Sequence, residues 1–218
     1  RRRSRSPFCC FTRFSRLNIV HEDAVATAEI MYELIEYLSL PLDKTIAENL
    51  LTGIITDSLG FRTSNTSPKA LRMAAALQEE GADISRLHRK ALLERSFEAV
   101  RYWGAGLSKV EKDGSLVWTS LSLEDREKVG YPGRDDADLV NVLSTVKDTD
   151  VCILFVEQKD GTIKVSWRAR PGYDVAQVAM QFGGGGHKPA AGASIPGDLD
   201  RVQKEVIEVT QSMIKHKA

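Results

Sequence analysis

A chain of 218 residues, 42% hydrophobic and 28% charged, can bury one sizeable core or two small ones, which excludes a chain disordered throughout. Its 30 basic and 30 acidic residues cancel, but Arg1, Arg2, Arg3, Arg5, Arg13 and Arg16 precede the first acid, so a globally basic nucleic-acid-binding coat is excluded for the rest of the chain and any phosphate binding must rest on local placement of Arg, Lys and backbone N–H groups. Nowhere do 18 apolar residues run together; the longest pure run, Val151 to Val156, has strand length, so no membrane span is expected.

Residues 1–16 form an Arg-rich, Ser-rich leader without an acid, an initiator Met or any periodicity, compatible with a transit peptide, an RNA-binding arm or a truncated or misframed start. Cys9 and Cys10 there, and Cys152 further on, make no Cys-x-x-Cys pair; three such thiols fit a reducing, cytoplasmic setting, and Cys152 in its apolar run reads as a buried structural thiol. From Glu22 a helix is predicted, with Val25, Ala28, Met31, Ile35 and Leu38 on one side, ending before Pro41. A second, from Asp43 to Thr56-Asp57, is predicted to turn Ile46, Leu50 and Ile54 to the core. A third has Ser67 or Thr66 as cap, Pro68 in its first turn and Gly81 at its end. A fourth restarts at Asp83 and is predicted to run unbroken to about Trp103, bridging two domains.

Beyond Gly104 and Gly106 the pattern changes to strands. Leu107–Glu111 and Ser115–Leu121 read as a hairpin about Asp113-Gly114, followed by helices near Leu123–Val129 and Asp136–Val146. Val151–Val156 is apolar at every position, as expected of a strand buried on both faces. After the turn at Asp160-Gly161 the next strand alternates, with Ile163, Val165, Trp167 and Ala169 on one face and Lys164, Ser166, Arg168 and Arg170 on the other. A short helix, Asp174–Phe182, leads into Gly183-Gly184-Gly185-Gly186-His187-Lys188-Pro189-Ala190-Ala191-Gly192. The last helix, capped by Asp198, spaces Leu199, Val202, Val206, Val209 and Met213 by three and four.

Two stretches carry chemistry. Four consecutive glycines cost backbone entropy, so a folded domain that keeps them is expected to need a close backbone approach, here to an anionic ligand, with His187 and Lys188 as donors beside it and the forks of Arg168 and Arg170 within reach of one phosphate or two adjacent ones. The spacing fits neither a dinucleotide fingerprint nor a P-loop. Upstream, Gly53-Ile54-Ile55-Thr56-Asp57-Ser58-Leu59-Gly60-Phe61-Arg62 places a carboxylate at a helix end beside hydroxyls and an Arg, which suits a metal ligand next to a phosphate.

Together, Thr56-Asp57-Ser58-Leu59-Gly60-Phe61-Arg62 and Phe182 through Gly192 resemble the DHH phosphoesterase family, particularly its bifunctional oligoribonuclease and phosphoadenosine-phosphate phosphatase branch. The resemblance implies an α/β architecture: a helical remnant of the DHH catalytic domain over 17–83, a linker helix over 84–104 and a small mixed-sheet substrate-binding domain over 105–218. It implies manganese as cofactor, with Asp57 as a metal ligand; Arg62, Arg168, Arg170, Gly184, Gly185 and Gly186 as substrate-binding residues; and His187 as both a substrate-binding and a catalytic residue. The family's strand more often reads Ser-x-Arg-Ser, so Ala169 is a departure. The Asp-His-His motif is not found in this sequence, nor is an Asp-x-Asp motif found ahead of Asp57, so an incomplete metal centre is expected. The implied partners are short single-stranded RNA or DNA or a nucleoside 3′,5′-bisphosphate, with a homodimer kept open. Two alternatives stand beside it: a cyclic-dinucleotide phosphodiesterase, and a non-catalytic binding module like that of alanyl-tRNA synthetases.

Overall fold

The computed structural model describes residues 19–21 and 23–215, so the Arg-rich leader, Cys9, Cys10 and Glu22 lie outside the described residues. The chain divides into two units, Arg1–Glu94 and Arg95–Ala218.

The described part of the first unit is helical. Helix α1 spans Thr27–Tyr37, α2 Lys44–Asp57, α3 Pro68–Glu79 and α4 Ile84–His88, followed by a π-helical turn, Arg89–Leu93. Asp43 caps α2 by accepting the Ile46 N–H at 2.8 Å, and Ser67 caps α3 at the Ala70 N–H with Pro68 just inside. The inward face of α1 differs from the predicted one. Glu29 and Tyr32 are buried whereas Met31 and Leu38 are exposed, because the Glu29 carboxylate turns inward to accept the Val25 N–H at 2.9 Å and carries the buried stripe with it. On α2 the buried positions are Ala47, Leu51, Ile54 and Ile55, so of the three residues expected in the core only Ile54 is fully buried. The two helices approach closely enough that a Cβ on Gly53 would come within 2.9 Å of the Ala28 Cβ.

The helix expected to run unbroken from Asp83 to Trp103 is interrupted. The π turn closes with the Glu94 N–H on the Arg89 carbonyl, Glu94 is extended, and the Ser96 hydroxyl accepts the Ala99 N–H to start a new helix, α5, Phe97–Leu107.

The second unit continues with β1 Glu111–Asp113, β2 Leu116–Leu121, α6 Leu123–Val129, α7 Leu139–Leu143, β3 Val151–Glu157, β4 Thr162–Ala169, α8 Val175–Gln181, β5 Gly185–His187, β6 Ala190–Pro196 and α9 Leu199–Lys215. The residues Leu107–Val110, read as strand, instead end α5 and turn, so the hairpin begins at Glu111. Likewise α7 is shorter than the predicted Asp136–Val146, because Ala137 and Asp138 adopt positive φ and only the Asp136 carboxylate, on the Val140 N–H, reaches into the helix. The six strands form one sheet in the order β1-β2-β3-β4-β6-β5, with β2 and β3 parallel and the other pairs antiparallel.

Both faces of β3 are covered, which is why its sequence shows no alternation. On one face Ile153 and Phe155 join Val165 and Trp167 of β4 and pack under α8 and α9 through Val175, Val178, Val202 and Val206. On the other, Cys152, Leu154 and Val156 pack with Val117 and Leu121 under α5 and α7, through Tyr102, Leu139, Val140 and Leu143. Burial pushes the Cys152 thiol up to about 12, so it sits neutral in that layer.

Candidate functional site

The helices that cover the second face pack mainly over β2 and β3, with α7 also reaching β4, and leave Ser166, Arg168, Gly185, Ala190 and Gly192 half-buried. Pairing register sets what stands there. Arg168 is opposite Ala190, and Ala190 is opposite His187, so the three form one row across three strands. Directly opposed residues project to the same face of a sheet, which puts Arg168 and His187 on a common side, two strand spacings or roughly 10 Å apart, with a methyl group between them. The next row is Ser166, Gly192 and Gly185, all small. The result is a shallow floor of Ser166, Ala190, Gly192 and Gly185 flanked by a guanidinium and an imidazole. Arg168 is half-buried and anchored through Nη1 to the Trp167 carbonyl at 3.0 Å, whereas His187 is exposed.

Arg170 stands one residue past the end of β4, exposed, with its N–H still held by the Asp150 carbonyl at 2.8 Å. The Asp150 carboxylate accepts the Tyr173 hydroxyl at 2.8 Å, and that hydrogen bond, with partial desolvation, raises the Tyr173 pKa.

The glycine run has largely internal reasons. Gly183 takes φ +74° where α8 ends. A Cβ on Gly184 would stand 2.2 Å from the Gly192 carbonyl oxygen, and one on Gly186, at φ +144°, 2.5 Å from the Ala190 carbonyl oxygen. Close approach is therefore to strand β6 at Gly184 and Gly186. At Gly185 a Cβ would meet nothing within 4 Å, so it is the member of the run that opens onto the floor. Sequence reasoning missed Ser166, Ala190 and Gly192 as floor residues; their small size was visible, but the register that aligns them was not.

Asp57 and Arg62 lie in the first unit, both exposed, at the end of α2 and in the loop after it. That loop winds through three successive left-handed residues, Leu59 at φ 49°, Gly60 at 71° and Phe61 at 66°, a conformation that non-glycine residues hold only when their surroundings enforce it. The enforcing residue is Ser58, fully buried, which the sequence did not single out. Its hydroxyl accepts the Phe61 N–H at 2.9 Å, its carbonyl accepts Arg62 N–H at 2.8 Å, and Gly60 N–H reaches back to Ile55. His88 closes the loop from the side: a Cβ on Gly60 would stand 2.5 Å from its Nε2.

Manganese is not fitted by these residues. Among the described residues no group of three or more His, Cys, Asp and Glu side chains gathers around one point, and Asp57 is a single exposed carboxylate where a metal pair requires several ligands. No chemical step is routed through a metal. What the second unit offers is an anion platform: a fork that can take two phosphate oxygens, a ring donor across from it, and a floor without bulky side chains.

Residues 117–212, which run from β2 into α9, match the DHHA1 domain. The chain as a whole is similar to DHH-family phosphoesterases. It is 35% identical over 201 residues to the bifunctional oligoribonuclease and PAP phosphatase NrnA of Thermus thermophilus, and 28% identical over 198 residues to the protein of the same name in Mycoplasma genitalium; each alignment covers 91% of this chain and 60% of the relative. The chain thus spans about three fifths of the length of these relatives. A solved structure of an exopolyphosphatase-related protein from Bacteroides fragilis superposes with a TM-score of 0.84 at 26% identity, covering 94% of this chain and 60% of that one. Among the described residues no helix is long and apolar enough to cross a membrane.

Proposed function

We propose that this chain supplies the substrate-holding part of a phosphoesterase acting on short single-stranded oligonucleotides or on a nucleoside bisphosphate. The observation that carries the reading is the lateral row of Arg168, Ala190 and His187, which sets two cationic or hydrogen-bonding groups on one side of an open floor. Arg168 takes a terminal phosphate by its fork, His187 donates to the same or the adjacent phosphoryl oxygen as the group nearest the chemistry, Gly185 lets the nucleotide approach the backbone, and Arg170 supplies outer charge. Were manganese bound, Asp57 would be one of its ligands, and no hydrolytic step is derived through it. A cytoplasmic setting fits the free buried thiol of Cys152. A homodimer is the proposed assembly.

Calorimetric titration of the chain with a nucleoside 3′,5′-bisphosphate tests the platform. Arg168→Ala is expected to weaken binding by roughly 10- to 100-fold, as for loss of a charge-assisted hydrogen bond of about 1.5–3 kcal/mol, and His187→Ala by a smaller factor. Equal affinity in all three proteins removes the assignment. Release of mononucleotides with added manganese, abolished by Asp57→Ala, assigns catalysis to the chain; binding without turnover is the outcome for a binding module.

A further inference from the structure

On the face that carries Arg168, strand β4 goes on to Ser166 and Lys164, and its partner β6 goes on to Gly192 and Ser194. These four are half-buried or exposed, whereas Val165, Trp167, Ala191 and Ala193, which alternate with them, are buried. The alternation leaves a strip two strands wide that runs lengthwise from the row of Arg168 and Ala190, over Ser166 and Gly192, to the row of Lys164 and Ser194. These rows hold two cations, hydroxyls and small residues, and no carboxylate.

The carboxylates around the far end are engaged elsewhere. Asp135 accepts the Tyr131 hydroxyl at 2.6 Å and the Ala137 N–H at 3.0 Å; Asp160 accepts the Thr162 hydroxyl at 2.7 Å, and Glu157 the Leu123 N–H at 2.9 Å. Burial raises the Asp135 pKa, but the Tyr131 and Ala137 hydrogen bonds and the charge of Lys164 outweigh it. Lys164 is thus near Asp135 without being paired to it: among the described residues no hydrogen bond or salt bridge occupies its ammonium.

Arg168 and Lys164 are four residues apart on an extended strand, about 13 Å between Cα atoms. The guanidinium is anchored on the Trp167 carbonyl and stays at its own row, and a charge-assisted hydrogen bond spans only about 2.8 Å, so the two cations serve separate phosphates. A nucleoside bisphosphate carries both phosphates on one sugar; lying across the strands between Arg168 and His187, it leaves Lys164 out of reach. An oligonucleotide has further phosphates that continue down the strip. No aromatic ring stands in these rows to stack a base, so what they can read is backbone charge and not sequence. We propose that Lys164, with the Ser194 hydroxyl opposite it, is an outer phosphate subsite that favours oligonucleotides over nucleoside bisphosphates; this rests on the phosphate-holding reading of Arg168 and His187 above.

Calorimetric titration of the whole chain in metal-free buffer, with a nucleoside 3′,5′-bisphosphate and with a 5′-phosphorylated RNA trinucleotide, is the test. Lys164→Gln is expected to weaken trinucleotide binding roughly 3- to 10-fold at low salt and to make its dependence on log salt shallower by about 0.7, the contribution of one single-strand phosphate contact. Bisphosphate affinity is expected to stay within about twofold of the parent's, since that ligand makes no contact with Lys164. Lys164→Arg restores the trinucleotide affinity and its salt slope, and Ser194→Glu, at an exposed position, weakens the trinucleotide alone. Equal losses for the two probes in Lys164→Gln, or a trinucleotide affinity and slope unchanged from the parent, overturn the subsite. Loss of bisphosphate binding in Arg168→Ala beside an unaltered Lys164→Gln keeps the platform and removes the outer subsite, whereas the reverse pattern keeps the Lys164 contact and removes the platform.

Discussion

Gly184 and Gly185 are adjacent, yet the geometry gives them opposite requirements. A methyl group at Gly184 drives into the backbone carbonyl of Gly192, which is held in the sheet and cannot yield, whereas a methyl at Gly185 enters open space with a strand conformation any residue accepts. Gly184→Ala is therefore expected to destabilise the second unit by about 1–3 kcal/mol, in the range of overpacked core positions, read as a lowered urea midpoint. Gly185→Ala is expected to leave that midpoint unchanged and to lose nucleotide affinity instead. Loss of stability at Gly185 would contradict the distinction. In the first unit, Ser58→Ala removes the acceptor of the Phe61 N–H and with it the anchor of three left-handed residues, at an expected cost of about 1–3 kcal/mol. The sequence made the glycine run and Asp57 conspicuous as residue types. It could not separate Gly184 and Gly186, which pack, from Gly185, which opens onto the floor, because that depends on which carbonyl of β6 lies opposite, and it passed over Ser58 because a serine after an aspartate has no distinctive pattern.

At the scale of elements, legibility followed punctuation and periodicity. Helix α3, with its Ser67 cap, Pro68 and Gly81, and strand β3, apolar throughout, were plain in the sequence. The faces of α1 and α2 were not, since an inward Glu29 looks like a surface residue until its bond to the Val25 N–H is seen. The break at Glu94–Ser96 was hidden for a similar reason: Ser96 can cap a helix or sit within one, and the choice is made by the π turn before it. Helix α6 allows a quantitative expectation. Ser122 and Asp125 form a reciprocal capping box, and Lys109 pairs with the Asp125 carboxylate. Burial alone would raise the Asp125 pKa, but the Lys109 and Ser122 hydrogen bonds outweigh it and the net shift is downward. A carboxyl depressed in the folded state adds stability that is full above its unfolded value, near 3.9, and that is lost as pH falls through the folded value. Asp125→Asn is thus expected to lower stability at neutral pH and to flatten the decline below about pH 4, measured by urea unfolding at a series of pH values. An acid decline as steep in Asp125→Asn as in the parent would assign that decline to other groups.

At the scale of the molecule, each unit owns a core. The first is built from residues between Val25 and Leu87, the second from two layers on either side of one sheet between Tyr102 and Val206. Among the described residues no strand of the sheet comes from the first unit, and every residue of the Arg168, Ala190 and His187 row lies in the second. A domain whose backbone pairing and apolar burial are both internal has what it needs to fold alone. The segment 95–218 is therefore expected to fold by itself, with a single cooperative thermal transition and dispersed amide resonances. Because Arg168 is anchored on the Trp167 carbonyl and not on anything upstream, the isolated segment should also keep the bisphosphate affinity that the platform contributes, and Asp57→Ala in the whole chain should leave that part unchanged. Titration of the segment and of the whole chain under identical salt decides it, since phosphate contacts weaken steeply with ionic strength. A folded segment that binds a hundredfold more weakly than the whole chain would mean that the row of Arg168, Ala190 and His187 does not by itself carry the phosphate contact.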